Sequence, residues 1–284
     1  MMLESITPPT TSAADVHGTS ALDQKFQVEY SKVARTFNGR SGSFVAVRDI
    51  DLQVRPGEFV SIIGPSGCGK STLLNMAAGL LDPSEGTVSY SGKPVQRTNT
   101  DVGYVTQKDS LLPWRTVERN VGLPLELHKI PKDERKQRVS QMLRRVGLEK
   151  FAKHYPSQLS GGMRQRAMLA QTWVYGPHTL LMDEPFGALD ALLRTQLQAD
   201  LLEMWQREQK TILFVTHDLE EAILMADRVV VFSAAPGTIL HVESVNFERP
   251  RDLMELRSTR EFVDIWKRLW NLLETQINVS GVSQ

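Results

Sequence analysis

Apolar residues in this chain recur with two different periods. Phe26, Val28 and Tyr30 alternate with polar residues, and Val45, Val47, Ile50, Leu52 and Val54 follow the same period of about two. This predicts strands over 26–37 and 45–54. Shorter runs are apolar almost throughout: Val60–Ile63, Leu180–Met182, Ile212–Val215 and Val229–Phe232. Such runs, bounded by turn residues, predict strands buried on both faces. Further short strands are expected at 87–90 and 102–106. Between them the spacing changes to 3.6. Val139, Met142, Leu143 and Val146 share one helical face, as do Leu193, Leu197, Leu201, Met204 and Trp205 within a helix over about 191–207. Arg164 to about Tyr175 also reads as helix. A last amphipathic helix is predicted over 252–275, with Phe262, Ile265, Trp266, Leu269, Leu272 and Leu273 on one face. Its expected role is to pack on the body of the chain or on a second copy. Turn chemistry at 38–43, 55–58 and 82–86 separates these elements. Strands alternating with helices define an α/β class.

One junction between the two periods carries chemistry. The run Phe59–Ile63 ends at Gly64-Pro65-Ser66-Gly67-Cys68-Gly69-Lys70-Ser71-Thr72, and helical spacing resumes at Leu73 and Leu74. Strand, glycine loop and helix together make Gly-x-x-x-x-Gly-Lys-Ser a phosphate cradle. Successive backbone N–H groups point into one concavity at a helix N-terminus, where free donors and the macrodipole favour an anion. Lys70 adds a full charge for the β- and γ-phosphates, and the Ser71 hydroxyl can ligate Mg²⁺. The strand before Asp183-Glu184 adds two acids. Asp183 at its end can reach a metal held by Ser71, and Glu184 can polarise a water beside the γ-phosphate. A general base there favours hydrolysis over transfer to another acceptor.

Composition changes this picture little. The 284 residues carry 33 Lys and Arg against 33 Asp and Glu, so total charge does not point to nucleic acid. The basic block 131–145 reads as a solvated helix face, with a contact to acidic lipid or a partner as the alternative. Cys68 is the one cysteine, which excludes an intrachain disulfide and suits a reducing compartment. Its place in the loop raises redox control, although a small residue suits a tight loop on packing grounds alone. No apolar run approaches the roughly 18 residues a bilayer span needs. Residues 1–24, rich in Thr, Ser, Pro and Ala, show no secretory signal and are expected to be a disordered tail. The expectation is a protein in solution whose membrane role comes through a partner.

Further residues extend the pattern. Gln107, Leu159-Ser160-Gly161-Gly162-Met163, Asp183-Glu184-Pro185, Ala188-Leu189-Asp190 and His217 follow the phosphate loop. In order and spacing they resemble the ATPase subunits of ATP-binding cassette (ABC) transporters over about residues 26–245. The resemblance implies a P-loop NTPase with a RecA-like core, an antiparallel β subdomain and a helical insertion over about 108–163. It divides the chain into the tail 1–24, an ATPase domain 25–248 and a C-terminal extension 249–284. It implies that Phe37 stacks on adenine and that Gly64, Pro65, Ser66, Gly67, Cys68, Gly69, Lys70, Ser71 and Thr72 hold the phosphates of ATP. Mg²⁺ would be held by Ser71, Gln107 and Asp183. Glu184 would act as base, with His217, Gln107 and Lys70 as the other catalytic groups. Ser160, Gly161 and Gly162 open a helix of their own and so offer a second set of phosphate donors. By the resemblance they and Asp190 serve a nucleotide on a second copy.

The implied partners are a second ATPase subunit, in a homodimer, and integral membrane permease subunits. A periplasmic or extracellular solute-binding protein would complete the system. The expected place is the cytoplasmic face of the inner membrane, held peripherally. Met163 and Phe186-Gly187 replace the commoner Gln and Thr-Ser of the family. With the stretch Asp109–Arg115 and the C-terminal Arg249-Pro250-Arg251-Asp252, they resemble the importer branch for nitrate, sulfonates and taurine. Trp114 would lie where the permease docks, or else anchor its own loop. The alternatives are an exporter ATPase and a non-transport ABC ATPase acting on DNA or ribosomes. About ninety residues separate Lys70 from Ser160 without sustained heptads, which disfavours the DNA-repair type.

Overall fold

A computed structural model describes residues 26–39, 42–187 and 189–281, with the side chains of 277–281 left out. The expected tail 1–24, two residues of the 38–43 turn and Ala188 lie outside the described residues. Two sheets are present. The smaller, ordered β2-β1-β4-β5, is antiparallel and contains β1 (Val28–Gly39), β2 (Gly42–Val54), β4 (Glu85–Tyr90) and β5 (Lys93–Pro94). The larger contains β3 (Phe59–Ile63), β6 (Val102–Val105), β7 (Thr179–Asp183), β8 (Thr211–Val215), β9 (Arg228–Phe232) and β10 (Ile239–Ser244). Its order is β10-β9-β3-β8-β7-β6, and all but the β10 pairing are parallel.

The apolar runs occupy the middle of that sheet because both of its faces are covered. Phe59 and Ile63 of β3 point into one hydrophobic cluster, and Val60 and Ile62 into the other. Leu180 and Met182 of β7 divide from Leu181 in the same way. One face carries α1 (Lys70–Ala77) and the smaller sheet. The other carries α5 (Gly161–Trp173), α6 (Ala191–Glu208) and α7 (Leu219–Met225).

The helical stretch between β6 and α5 holds α2 (Val117–Val121), α3 (Leu123–Leu127) and α4 (Lys132–Arg145). Acids fill the first turn of α4 and arginines its last, matching the helix dipole. Several of its arginines are paired within the chain: Arg135 lies 3.6 Å from Glu126, Arg145 lies 2.8 Å from Glu208, and Arg138 pairs with Glu134. Trp114 is 72% exposed, so it does not anchor its own loop.

Three expectations need correction. The helix read over 252–275 is two helices, α8 (Leu253–Leu256) and α9 (Arg260–Gly281). The break is local hydroxyl chemistry: Ser258 Oγ donates to Glu255 O, while Thr259 Oγ1 donates to Leu256 O and accepts from Phe262 N–H. The helical run read from Arg164 starts earlier, at Gly161, where the Ser160-Gly161-Gly162 reading put its opening, because Ser160 Oγ caps it by accepting from Met163 N–H at 3.3 Å. Strand β10 and helix α7 were not anticipated. β10 alternates half-buried and exposed positions at the sheet edge, and α7 spans only two turns.

Phe186, at one of the two departures from the commoner motif, is fully buried with its ring 5.9 Å from that of Phe214. Replacing Phe186 by Ala should cost about 3–5 kcal/mol, read as a lower denaturant midpoint at unchanged slope.

Candidate functional site

The parallel pairing of β3, β8, β7 and β6 places their carboxyl ends side by side. Open α/β sheets bind ligands at such an edge. The phosphate loop leaves β3, His217 follows β8, Asp183 ends β7 with Glu184 just beyond it, and Gln107 follows β6. Residues separated by up to about 150 positions are therefore gathered along one edge.

The loop is built as an anion cradle. Helix α1 starts at Gly69 with no side-chain cap and no acid in its first turn, which leaves its N-terminal N–H groups for a ligand. Gly69 has φ 92°, and a Cβ there would come within 2.4 Å of Val47 Cγ1 and 2.9 Å of Ala46 O. The β1–β2 hairpin therefore closes directly over the loop. Phe37 stands on that hairpin, 38% exposed, with the Arg35 guanidinium 4.8 Å from its ring centre. Lys70 is buried, and its ammonium donates to Gly64 O and Pro65 O, each at 2.8 Å. Those carbonyls hold the charge at the mouth of the cradle. Thr72 sits in the first turn of α1.

Two hydrogen bonds reach the acids at the end of β7, one from the phosphate loop and one from a residue beyond β6. Ser71 Oγ donates to Asp183 Oδ1 at 3.0 Å, and Gln107 Nε2 donates to Glu184 Oε2 at 2.9 Å. The same Glu184 oxygen lies 3.3 Å from His217 Nδ1. Burial pushes the Asp183 carboxyl up from its ordinary value, with Glu184 adding to the rise and Ser71 and Lys70 opposing it. Glu184 has φ 47°, a left-handed backbone that costs a non-glycine residue roughly 1–2 kcal/mol. The backbone is held there by Glu184 N–H donating to Val215 O at 2.9 Å and by Gly187 N–H donating to Glu184 O.

These residues fit a magnesium nucleotide. Ser71 and Asp183 offer a hydroxyl and one carboxylate, with the Gln107 amide oxygen nearby. A small hard cation that keeps waters and phosphate oxygens needs little more from the protein. The described residues contain no cluster of three or more His, Cys, Asp or Glu that would form an all-protein metal cage.

Ser160, Gly161 and Gly162 stand elsewhere. Gly162 is pressed against α6, where a Cβ would meet Leu193 Cδ2 at 2.3 Å. Asp190 caps α6, its Oδ1 accepting from Leu193 N–H at 3.0 Å. The Ser160-Gly161-Gly162 signature turn and the Asp190 turn are thus one block, and the described cavity at the phosphate loop is not lined by either.

Sequence reasoning missed three contributors. Gln165 lines a cavity of about 270 Å³ with Gln107, Glu184 and His217, and its buried Nε2 has no protein partner. Nothing in the spacing of α5 marks it. Arg194 bonds both Asp218 Oδ2, at 3.2 Å, and Leu189 O, at 3.0 Å, tying the Asp190 turn to the His217 turn. Asp218 was readable: an aspartate before Leu219-Glu220-Glu221 is an N-cap pattern, and its Oδ1 accepts from Glu220 and Glu221 N–H.

Residues 47–187 match the ABC transporter family. An ABC transporter ATP-binding protein of Methanocaldococcus jannaschii, itself uncharacterised, is 44% identical over 253 residues, 89% of this chain and 93% of that one. This chain belongs to the ABC transporter ATPase family. The taurine import ATP-binding protein of Escherichia coli is 45% identical over 73% of this chain and 82% of its own length. A nitrate import ATP-binding protein of Synechococcus elongatus is 41% identical over 79% of this chain and 83% of its own. Among solved structures, a dimeric ATP-binding cassette in a post-hydrolysis state with ADP and Pi overlays with a TM-score of 0.70. It is 32% identical and covers 78% of this chain and all of that one. As an ABC ATPase the chain binds and hydrolyses ATP, on the P-loop core described above.

Cys68 is fully buried, and burial pushes its thiol up from the ordinary value against the pull of Lys70. A higher folded pKa leaves less thiolate at pH 7–8 than in the unfolded chain. Cys68 should stay unlabelled by a disulfide reagent in the folded protein at pH 8. One equivalent should react after denaturation, counted by absorbance.

Proposed function

We propose that this ABC ATPase energises an importer for a small anion of the nitrate, sulfonate or taurine type, working as one half of a homodimer. The observation that carries the catalytic assignment is the single Glu184 oxygen held between Gln107 and His217, one residue beyond the Asp183 that Ser71 contacts. In this reading the Glu184 carboxylate orients a water and takes its proton. The water oxygen bonds to the γ-phosphorus as the bond to the bridging oxygen breaks, giving ADP and phosphate. His217 and Gln107 hold the carboxylate in line. Lys70 and the N–H groups of Gly67 to Thr72 hold the phosphates, Pro65, Ser66 and Cys68 shape the loop, and Phe37 stacks on the adenine. Mg²⁺, held by Ser71, Asp183 and Gln107, would neutralise phosphate charge.

Ser160, Gly161, Gly162 and Asp190 would serve the nucleotide of a second copy. This is supported by their position outside the chain's own phosphate-loop cavity and by a relative solved as a dimer. Burying two nucleotides between two copies makes ATP the glue, and loss of products lets the halves part. The importer assignment rests on the relatives named for taurine and nitrate import. No helix of the described residues is long and apolar enough to cross a membrane. Attachment to the cytoplasmic face of the inner membrane would then run through permease subunits, with a solute-binding protein outside. A surface suited to the permease is the groove of about 430 Å³ between α1 and α3, where Leu80 and Leu127 stand open, together with Trp114.

Glu184→Gln should lower ATP turnover at least 100-fold while leaving ATP-dependent dimers visible by size-exclusion chromatography. Unchanged turnover would remove Glu184 as the base. Trp114→Ala should leave ATPase activity of the isolated subunit intact and reduce its recovery with co-expressed permease subunits.

A further inference from the structure

Helix α9 carries two apolar stripes, one buried in the core and one that the chain only partly covers. Phe262, Ile265 and Leu269 are buried against the core. Trp266, Trp270 and Leu273, one helical step around, face a cavity of about 810 Å³. The indoles of Trp266 and Trp270 stack with centroids 5.2 Å apart and planes 7° from parallel, and Trp270 is 41% exposed. The facing wall is Gly64, Pro65 and Ser66 of the phosphate loop with His217, Asp218, Leu219 and Glu220, a mixed surface in which Pro65 and Leu219 are the apolar members. A groove with an apolar wall on α9 and its second wall at the phosphate loop is continuous with the surface on which the nucleotide sits.

The same chain offers an apolar projection of matching chemistry. Leu192 is 83% exposed, the most exposed of the large hydrophobic residues described. It lies in the first turn of α6, two residues after Asp190, so its backbone is fixed by the Asp190 cap and by the Arg194 bond to Leu189 O. Its neighbour Leu193 is wedged against Gly162. Leu192 therefore moves as one body with the Ser160-Gly161-Gly162 turn. Wherever that turn is placed over a phosphate loop, Leu192 arrives beside it.

We propose that Leu192 of a second copy seats in the Trp266–Trp270 groove, so that α9 is part of the ATP-closed dimer interface. The proposal rests on the two-copy reading above. Two-fold symmetry makes the contact twice, once in each direction. It gives the C-terminal extension a specific task, which is to read whether the partner's signature block has closed over the nucleotide. It also accounts for the exposed Trp270 and the exposed Leu192 with one contact.

The test uses the full chain carrying Glu184→Gln, with ATP and Mg²⁺, and measures dimer dissociation by sedimentation. Leu192→Ala and Trp270→Ala should each weaken the dimer about tenfold or more, as expected for losing a buried leucine contact. The double variant should be no weaker than the worse single one, because both remove the same contact. Leu240→Ala, at a similarly exposed position on β10, should leave the dimer unchanged. Tryptophan emission should shift to shorter wavelength when ATP closes the parent, and not in Leu192→Ala at protein concentrations that restore the dimer. Parent-like dimers in both single variants, or strictly additive losses, would overturn the contact while leaving the dimer reading intact. Loss confined to recovery with the permease would assign the groove to the permease and overturn it too. A parent that never dimerises with ATP would overturn the two-copy reading itself, since its groove is unaltered.

Discussion

The site depends on one constraint: β3, β8, β7 and β6 must lie parallel and adjacent, in that order. Backbone pairing in register, such as Ile62 with Val215 and Asp183 with Val215, sets the ends of three strands level. That level edge lets Ser71 reach Asp183 and lets Gln107 and His217 share Glu184. A slip of one residue in β7 would turn Leu181 to the other face and carry Asp183 out of reach. Both faces of the sheet are buried, so such a slip would cost the packing of two hydrophobic clusters at once.

The edge is electrostatically uneasy in a way that suits a nucleotide. Lys70 is buried with only carbonyl partners and a thiol nearby, and Asp183 holds its charge against desolvation. Burying a charge without a full set of partners is expensive. In the proposed function a triphosphate and a divalent cation would supply what each lacks. The strained backbone of Glu184 belongs to the same economy, since the sheet around it is rigid enough to impose the conformation.

The C-terminal extension is fastened to the segment that carries His217. Arg251 donates to Leu224 O and Ala226 O at 2.8 and 2.9 Å, satisfying carbonyls at the end of α7. Arg249 bonds Met225 O and Asp227, and Arg257 lies 3.2 Å from Glu220 at the other end of the helix. Burial lowers the Arg251 pKa to about 10, still far enough above neutrality to keep it charged. Helix α7 is thus held at both ends by the extension.

Local pattern determined a good deal by itself. The short apolar runs bounded by turn residues read as buried strands, and the glycine loop between a strand and a helix read as an anion cradle, so the α/β class was legible and the loop was marked as the place to look for a nucleotide. Asp183 and Glu184 were legible as strand-end acids. Tertiary structure decided the rest. Strand order, which makes Gln107 and His217 neighbours of one carboxylate, is set by long-range pairing that no local period encodes. The places of Gln165 and Arg194 follow from helix packing across the sheet. The break at Ser258-Thr259 turned on hydroxyl hydrogen bonds that compete with a continuous helical stripe. Spacing put Trp266 and Leu273 on one face with Phe262, Ile265 and Leu269, to pack on the body of the chain or on a second copy; only the packing of α9 on α7 and β9 left Trp266 half-covered and Trp270 beside it facing out.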